Sequence, residues 1–479
     1  MPAKTGREYV DRIDRAEADV WIGGEPVKGK ISEHPAFKNL MKTQSKLYDL
    51  QNAPAKQAQL TYSSPLTNDR VGLSYLIPKT KEDLTKRRMM FQVWARQSFG
   101  LLGRSPDYMN TAMMVFGAAA PVFGEYADNV KNYYEFSREH DLSLTHTFVQ
   151  PQVDRSSLYL EMEEEPIAAQ IVDKTKDGIV IQGARLLATQ GATTDEIMVF
   201  PSGMQLWQSK GDNPLAYAFA IPNNTPGLKF ICREGYDDGE SSMFDRPLSS
   251  QFEEVDTLVV FDHVTVPWDR VFVAGDAHMA NRLYTETSFN EHAVHQVVSR
   301  QVVKTEFMLG LISTLVETIN IGEYQHVHEK VSEVIIALET MKGLLLSSET
   351  QAKLNKWGTM TPDNQPLLAA MNYYPRIYPR MTEILQTLGA SGLVTLPKES
   401  DFHSELRDDL DKYMKASNAN AYDRVKLFRL AWDTCMSSFG TRETQYERYF
   451  FGDPVRLAGR LFHGYDKTPY INRVKDFLA

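Results

Sequence analysis

The chain has 479 residues, of which 42% are hydrophobic and 24% charged, so it can bury a large core and does not resemble a disordered protein. Its net charge of -10 at pH 7 argues against nucleic acid as the main partner, because phosphate binding requires a basic surface. The two cysteines, Cys232 and Cys435, lie far apart in sequence, which excludes a disulfide framework and favours a reducing, cytoplasmic setting.

Helical signals dominate residues 5–141. A Thr-x-x-Asp capping pattern opens the segment Thr80–Gly100, whereas Asn52–Ile77 predicts a loop. The most apolar stretch, Thr111–Gly124, is too short and too interrupted to span a membrane, so we expect a buried helix there. The charged N-terminal segment lacks the apolar core of a secretory signal.

Short β-rich runs fill residues 142–274, and their spacing is typical of an antiparallel barrel or sandwich. From residue 275 onward helices return, with apolar residues at helical spacing that predict a bundle. These positions are Val303, Phe307, Leu311, Leu315, Val331, Ile335, Leu338 and Leu345. The sequence therefore predicts an α+β fold with three domains, over residues 1–141, 142–274 and 275–479.

The order of these elements bears on cofactor class. Strands and helices do not alternate, which argues against a doubly wound nucleotide-binding fold. The sequence contains neither a G-x-G-x-x-G fingerprint after a strand nor a P-loop, so we do not expect the chain to bind NAD(P)H itself. No histidine pair has the spacing of a zinc motif, and no G-x-S-x-G elbow occurs, so neither a metal site nor a hydrolase is predicted.

The segment "GRSPDYMN" presents a local conflict. Ser105 and Pro106 predict a helix start, with the Ser105 side chain as the cap, yet Arg104 stands at the positive end of that helix dipole. Departures of this kind collect at functional sites. One interpretation is a surface arginine stacked on Tyr108, and the other is a pair that binds an anionic or electron-rich group.

His146 lies in "DLSLTHTFVQ", where period two places it on one face with Leu142, Leu144 and Phe148. It is either a core histidine bonded to a backbone carbonyl or a hydrogen-bonding group in a partly dry pocket. If an arginine, a tyrosine and a histidine converged on one oxygen, they would stabilise a phenolate.

Two further segments contain polar residues that are candidates for a site. Thr189, at the end of a predicted strand, begins a polar cluster that is most simply a β-turn. Arg442, Tyr446 and Arg448 fall on a predicted helix, as a solvated face or as contacts for a dinucleotide phosphate.

Six segments in chain order resemble the oxygenase component of two-component flavin-dependent 4-hydroxyphenylacetate 3-monooxygenases, particularly the Bacillus-type branch. They are "GRSPDYMN", "THTFVQPQVDRS", "GARLLATQGATTDEIMVF", "FDHVTVPWDRVF", "LGASGLVTLP" and "SSFGTRETQYERYFFGDP". The resemblance runs from about residue 5 to the end of the chain.

The resemblance implies an acyl-CoA-dehydrogenase-like fold, with an N-terminal helical domain, a central antiparallel β-barrel domain and a C-terminal four-helix bundle. It also implies a homotetramer that receives reduced FAD by diffusion from a separate NAD(P)H:flavin reductase and uses O2 as co-substrate. The phenolic substrate would be hydroxylated ortho to its hydroxyl group, through a flavin hydroperoxide, to give a catechol.

Residue roles follow from the same resemblance. Arg104 and Tyr108 match the phenol-binding pair, and His146 matches the histidine that contacts the substrate hydroxyl and lies beside the cofactor. Ser202 lies in a loop where relatives recognise the group para to that hydroxyl. The expected FAD contacts are Gln152, Val153, Asp154, Arg155, Thr189, Gly440, Arg442, Tyr446 and Arg448. The sequence leaves the para substituent open among 4-hydroxyphenylacetate, phenol, halophenols and nitrophenols.

Three alternatives remain. The related 4-hydroxybutyryl-CoA dehydratase needs an iron–sulfur cluster held by three cysteines and a histidine, and this chain has only two cysteines. An acyl-CoA dehydrogenase would share the architecture, but the phenol-site motif argues against it. A non-catalytic helical scaffold would have no use for the combined phenol and flavin residues.

Overall fold

The computed structural model describes residues 3–152, 167–201 and 212–479. They form two compact units. Unit 1 comprises Met1–Met243, Leu248–Arg300 and Lys353–Thr361, and unit 2 comprises Phe244–Pro247, Gln301–Ala352 and Pro362–Ala479. The division into three domains predicted from the sequence stays a prediction.

Helices occur both before and after the β-rich part of the chain. They are α1 Gly6–Ala16, α2 Lys38–Asn52, α3 Gln57–Leu60, α4 Lys81–Arg96, α5 Pro106–Ala118, α6 Ala127–His140, α7 Ser249–Phe252, α8 Ala277–Glu286, α9 Phe289–Thr318, α10 Gln325–Thr350, α11 Asn364–Gly389, α12 Arg407–Tyr413, α13 Ala421–Cys435, α14 Ser438–Tyr449, α15 Pro454–Gly464 and α16 Thr468–Leu478. Within the described ranges, no helix is both long and apolar enough to cross a membrane.

The strands are β1 Asp19–Ile22, β2 Glu25–Pro26, β3 Thr61–Ser63, β4 Arg70–Gly72, β5 Leu144–Thr147, β6 Gln170–Lys174, β7 Gly178–Thr189, β8 Glu196–Val199, β9 Asp212–Pro222, β10 Leu228–Cys232, β11 Asp256–Pro267, β12 Val271–Asp276, β13 Lys353–Leu354 and β14 Met360–Thr361. The larger sheet has the order β2-β1-β10-β11-β7-β6, and a four-stranded sheet has the order β12-β9-β8-β5. The α+β class is confirmed, while closure of these sheets into a barrel stays a prediction.

Most strand pairs are antiparallel, as predicted, but β1 pairs with β10 and β5 pairs with β8 in parallel. Parallel neighbours need a long connection, and the chain between β5 and β8 supplies one because it includes β6 and β7. The core contains apolar side chains of both sheets, including Ile181 and Phe261 from the larger and Phe219 and Ile197 from the smaller.

Local signals determined several N-terminal elements. Thr80 caps α4 in a capping box with Asp83, as the Thr-x-x-Asp pattern predicts. The prediction of a loop over Asn52–Ile77 is wrong, because this stretch contains α3 and the paired strands β3 and β4. Those strands have only three residues each, too few for a periodic pattern to reveal.

Unit 2 is built from helices. Helix α11 packs against α10, α13, α14 and α15, which accords with the predicted helical bundle. Leu338 and Leu345 of α10 are buried as the helical spacing predicts, whereas Ile335 is 45% exposed. The spacing identified the helix correctly but not the full extent of its buried face.

Candidate functional site

Arg104 lies in a tight turn immediately before α5, and Tyr108 lies in the first turn of that helix. The guanidinium carbon of Arg104 is 4.8 Å from the centre of the Tyr108 ring, a cation–π distance. Ser105 occupies the N-cap position, but the prediction of a side-chain cap is wrong. Its hydroxyl donates to Oδ1 of the buried Asp107, a carboxylate acceptor, and its oxygen accepts no amide hydrogen from the first turn of α5.

His146 lies on β5 and contacts the Tyr108 ring. The imidazole and the Tyr108 ring are stacked, with centroids 5.2 Å apart and planes 29° from parallel. Phe148 and Phe200 meet the imidazole edge to face at 4.8 and 5.9 Å. The apolar neighbourhood expected from the strand pattern is therefore present, and it includes the Tyr108 ring from a distant part of the sequence.

Burial shifts the pKa values of His146 and Tyr108. It lowers the pKa of His146 well below the ordinary value of 6.5, and the Arg104 cation adds to the effect. Burial also raises the pKa of Tyr108 above 10.0, although Arg104 opposes that shift. At neutral pH the cluster therefore presents a cation, a protonated hydroxyl and a neutral imidazole that can accept a hydrogen bond.

Two buried polar side chains, one on β5 and one just beyond it, have atoms without hydrogen-bond partners in the part of the chain that the structure describes. Among the described residues, nothing hydrogen-bonds to Nδ1 of His146, and neither Oε1 nor Nε2 of Gln150 has a partner. Gln150 is only 6% exposed. Native proteins rarely leave such groups unsatisfied, so this region is suited to a polar ligand that supplies both donors and acceptors, as the ring edge of a flavin does.

Thr189, at the end of β7, is already hydrogen-bonded within the chain. Its hydroxyl donates to Oδ1 of Asp256 at 2.7 Å, and its carbonyl accepts from the hydroxyl of Thr145. The next residue, Gln190, reaches the Arg104 turn, because its Nε2 donates to the Arg104 carbonyl at 3.3 Å. Gln152 is exposed at the end of a described range. Val153, Asp154, Arg155 and Ser202 lie outside the described residues.

The remaining predicted cofactor residues are all on α14 in unit 2. They are Gly440, Arg442, Tyr446 and Arg448. Arg442 bonds to Glu443 at 2.9 Å, and its guanidinium carbon is 5.1 Å from the Tyr446 ring centre. A Cβ on Gly440 would lie 2.5 Å from the carbonyl carbon and oxygen of Thr434, so close packing within the chain accounts for that glycine.

A buried ion cluster anchors α14 within unit 2. Nζ of Lys304 donates to Oε2 of Glu443 at 2.6 Å and to Oε1 of Glu447 at 2.7 Å. Nε2 of Gln301 donates to the other oxygen of Glu447. Because both carboxylates are buried, this cluster fixes the rotation and the height of α14.

Sequence reasoning missed Glu254, which receives both backbone amides of the Arg104 turn. It precedes β11, and the only local signal was a pair of acidic residues, Glu253 and Glu254, next to an apolar strand. Its partners are 150 and 151 residues away in sequence.

Two family models match nearly the whole chain. The first, described as 4-hydroxyphenylacetate 3-hydroxylase N terminal, matches residues 5–273. The second, its C-terminal counterpart, matches residues 280–479. The chain is 51% identical to a probable 4-hydroxyphenylacetate 3-monooxygenase of Bacillus subtilis, over 99% of this chain and 98% of that protein. It is 50% identical to a 4-hydroxyphenylacetate 3-monooxygenase oxygenase component of a Geobacillus species, over 100% and 97% of the two chains.

Solved structures agree with these relatives. A crystal structure of the oxygenase component of 4-hydroxyphenylacetate 3-monooxygenase, complexed with FAD and 4-hydroxyphenylacetate, matches with a TM-score of 0.94 and 44% sequence identity. The match covers 99% of this chain and 98% of that one, and it confirms the predicted fold class.

Proposed function

The chain belongs to the 4-hydroxyphenylacetate 3-hydroxylase family, and from this we propose that it is the oxygenase component of a two-component phenol hydroxylase. The proposed reaction introduces one atom of O2 ortho to the hydroxyl of a para-substituted phenol, to give a catechol. The other oxygen atom leaves as water, and the two electrons come from reduced FAD. The substrate we propose is 4-hydroxyphenylacetate, which is part of the names of the Bacillus subtilis and Geobacillus relatives.

The observation that carries this proposal is the contact of Arg104, Tyr108 and His146 in an aromatic environment. Arg104 and Tyr108 would bind and polarise the substrate oxygen, since a cation and a hydroxyl donor both stabilise developing negative charge there. The neutral imidazole of His146 would accept or share the phenolic proton. A phenol that loses its proton becomes electron-rich at its ortho carbon, which is the position to be oxidised.

When bound, reduced FAD supplies the electrons that activate O2. We assign its contacts to His146, Gln152 and Thr189, and add Gln150, whose buried carboxamide lacks partners among the described residues. The proposed FAD contacts Val153, Asp154 and Arg155 come from the family resemblance alone, and so does the proposed contact of Ser202 with the para substituent of the substrate. The phenylalanines around His146 would keep water from the reacting atoms.

Residues of α14 are also proposed as FAD contacts. Arg442 and Arg448 suit phosphate oxygens, and Tyr446 suits an aromatic or ribose group. For Gly440 the proposed role is indirect, through the packing that places this helix.

The remaining partners follow from the same assignment. Reduced FAD would come from a separate NAD(P)H-dependent reductase, as the name "oxygenase component" of the Geobacillus relative indicates. We further propose a homotetramer in the cytoplasm.

The proposal is tested by mixing the protein with a flavin reductase, NADH, FAD, O2 and a panel of para-substituted phenols. Catechol and hydrogen peroxide are measured together. We expect 4-hydroxyphenylacetate to give the most catechol per NADH consumed, with little peroxide. Consumption of NADH that yields only peroxide with every phenol would refute the assignment.

A further inference from the structure

Glu254 holds the turn that presents Arg104. Its Oε2 accepts from the Gly103 amide at 2.8 Å, and its Oε1 accepts from the Arg104 amide at 2.7 Å. The carboxylate is 1% exposed, so these charge-assisted hydrogen bonds have no competition from water.

Gln190 completes this arrangement. Its Nε2 donates to Oε1 of Glu254 at 2.7 Å and to the Arg104 carbonyl at 3.3 Å. Nε2 of Gln44 in turn donates to Oε1 of Gln190. Tyr9 donates to Oε1 of Gln44 at 2.5 Å, so a continuous buried network leads from α1 to the turn.

These contacts fix the direction in which the Arg104 side chain leaves the backbone. The amide nitrogen of Arg104 is held by Glu254 and its carbonyl oxygen by Gln190, so both peptide groups that flank its Cα are held. The orientation of these two groups determines the Cα–Cβ direction. The position of the Arg104 guanidinium over the Tyr108 ring therefore depends on the carboxylate of Glu254, which lies in a different part of the fold, just before β11.

We propose that Glu254 is a positioning residue for phenol hydroxylation, acting through the backbone of Arg104. This inference rests on the proposed function, because it assigns Glu254 to the placement of the phenol-binding arginine. Glu254 itself touches neither substrate nor cofactor in this account. Its effect should appear as a loss of productive phenol binding, with FAD binding preserved.

A glutamine at position 254 would test this with almost no change of volume. One of its two terminal atoms is an NH2 group, which cannot accept a hydrogen bond. The NH2 group would therefore lie opposite the N–H of Gly103 or of Arg104. Because two donors repel each other, the turn would shift. A shift of about 1 Å in a binding group can reduce productive turnover about a hundredfold, so a tenfold effect is a conservative expectation.

The matched control is Glu253→Gln. Glu253 is also buried, and its Oε1 accepts from Nη1 of Arg233 at 2.6 Å and from the Tyr236 amide at 3.3 Å. This substitution removes the same charge from the neighbouring position without changing the acceptor of the Arg104 turn. Loss of stability alone should therefore be similar in the two variants.

The measurement is a single turnover with FAD reduced in advance, excess folded enzyme, O2 and 4-hydroxyphenylacetate. We expect Glu254→Gln to form about tenfold less catechol per flavin than wild type and to need a higher phenol concentration for half of its maximal yield. Its FAD dissociation constant should stay within about twofold of the wild-type value. Glu253→Gln should keep the wild-type catechol yield. Equal yields for wild type and Glu254→Gln would overturn the inference, and so would an equal loss in both glutamine variants.

A double-mutant cycle with Arg104→Ala tests whether Glu254 acts through Arg104. If it does, adding Glu254→Gln to Arg104→Ala causes no further loss of catechol. A loss in the double variant equal to the product of the two single losses would overturn the inference. If circular dichroism shows that Glu254→Gln does not fold, Glu254→Asp replaces it. Aspartate keeps the charge but has a shorter side chain, so we expect the same kind of loss of catechol, but a smaller one.

The catechol yield of the wild-type enzyme distinguishes a failure of the proposed function from a failure of the inference about Glu254. A wild-type enzyme that forms no catechol from any phenol contradicts the proposed function, and the inference then falls with it. A wild-type enzyme that forms catechol, beside a Glu254→Gln variant that forms as much, overturns the inference alone.

Discussion

The Tyr108 ring stacks on the His146 imidazole with the two centroids 5.2 Å apart. One ring comes from the start of α5 and the other from β5, so a helix and a sheet jointly build the proposed phenol site. Arg104 lies on the same tyrosine, with its guanidinium carbon 4.8 Å from the ring centre. The charge of Arg104, the protonation of His146 and the packing around the site can each be tested by substitution.

Arg104→Ala should uncouple flavin oxidation from hydroxylation. Removing a charged hydrogen-bonding group costs about 1.5–3 kcal/mol, so catechol per flavin should fall about 10- to 100-fold while peroxide rises. Catechol and peroxide are measured in the same single-turnover samples. Arg88→Ala, on α4, is the matched control and should behave as wild type. An Arg104→Ala variant with the wild-type catechol yield would refute the role of this residue.

His146 should make the stability of the protein depend on pH. Its folded-state pKa lies well below the ordinary value of 6.5, so between these two values the unfolded chain binds more protons than the folded one. Its contribution is therefore complete above pH 6.5 and is lost as pH falls toward the lowered pKa.

Urea unfolding of wild type and His146→Gln between pH 5 and 7 measures this contribution. The variant should remove at most about 1.4 kcal/mol per pH unit from the slope of the free energy of unfolding. His292, whose pKa burial also lowers, should preserve part of the slope. His326→Gln, at an exposed position, is the control. Identical slopes in both variants would contradict the account.

Gln150→Leu should raise stability and weaken FAD binding. In the folded chain without ligand, the carboxamide is buried with neither polar atom bonded among the described residues, which is unfavourable by about 1–3 kcal/mol. Leucine removes that penalty, so the thermal midpoint without FAD should rise. The FAD dissociation constant, measured by flavin fluorescence, should increase. Unchanged FAD affinity would show that Gln150 is not a cofactor contact.

Lys304→Met should destabilise unit 2 severely, because it removes the cation that bridges the buried Glu443 and Glu447, and of these two carboxylates Glu443 keeps its ion pair with Arg442. Breaking a buried ion pair from one side costs about 3–5 kcal/mol. Lys342→Met is the control, since its partner Glu339 is an exposed residue three positions away and such pairs contribute about 0–1 kcal/mol. Urea midpoints compare the two variants, and equal midpoints would contradict the proposed anchoring of α14.

Gly440→Ala should lower stability by about 1–3 kcal/mol, because the new Cβ would overlap the Thr434 carbonyl. Gly310→Ala in α9 is the control. A Cβ there meets nothing within 4 Å, so alanine should stabilise the helix by about 0.4–1 kcal/mol. If Gly440→Ala leaves the unfolding midpoint unchanged while FAD affinity falls, the packing explanation is wrong and direct cofactor contact is favoured.

Local signals in the sequence predicted much of the fold. The run "GIVIQGARLLAT" coincides with β7, and the Thr80 capping pattern marks the start of α4. Such features depend on neighbours within a few residues, so the sequence reveals them. The parallel pairing of β5 with β8 was not predicted, because it depends on how distant segments meet.

The site residues also divide into those with a local sequence signal and those defined by distant contacts. Arg104 and His146 were singled out by local conflicts, namely a cation at a helix start and an imidazole on an apolar strand face. Glu254 was not, because its contacts join residues 150 positions apart and a buried acid before a strand looks ordinary in sequence. The predicted Ser105 cap is wrong: the Ser105 hydroxyl is oriented toward Asp107, to which it donates, and it accepts from no amide of the first turn.

The proposed hydroxylation can be tested by following an oxygen atom from O2 into the aromatic product. The protein carrying reduced FAD is mixed with 4-hydroxyphenylacetate and oxygen-18 gas in ordinary water, and the aromatic product is analysed by mass spectrometry. We expect wild type to form a catechol whose new hydroxyl carries oxygen-18, in nearly the same amount as the flavin oxidised. Arg104→Ala and His146→Gln should form much less of it. A product without the heavy isotope, or labelled catechol formed equally well by all three proteins, would contradict these expectations.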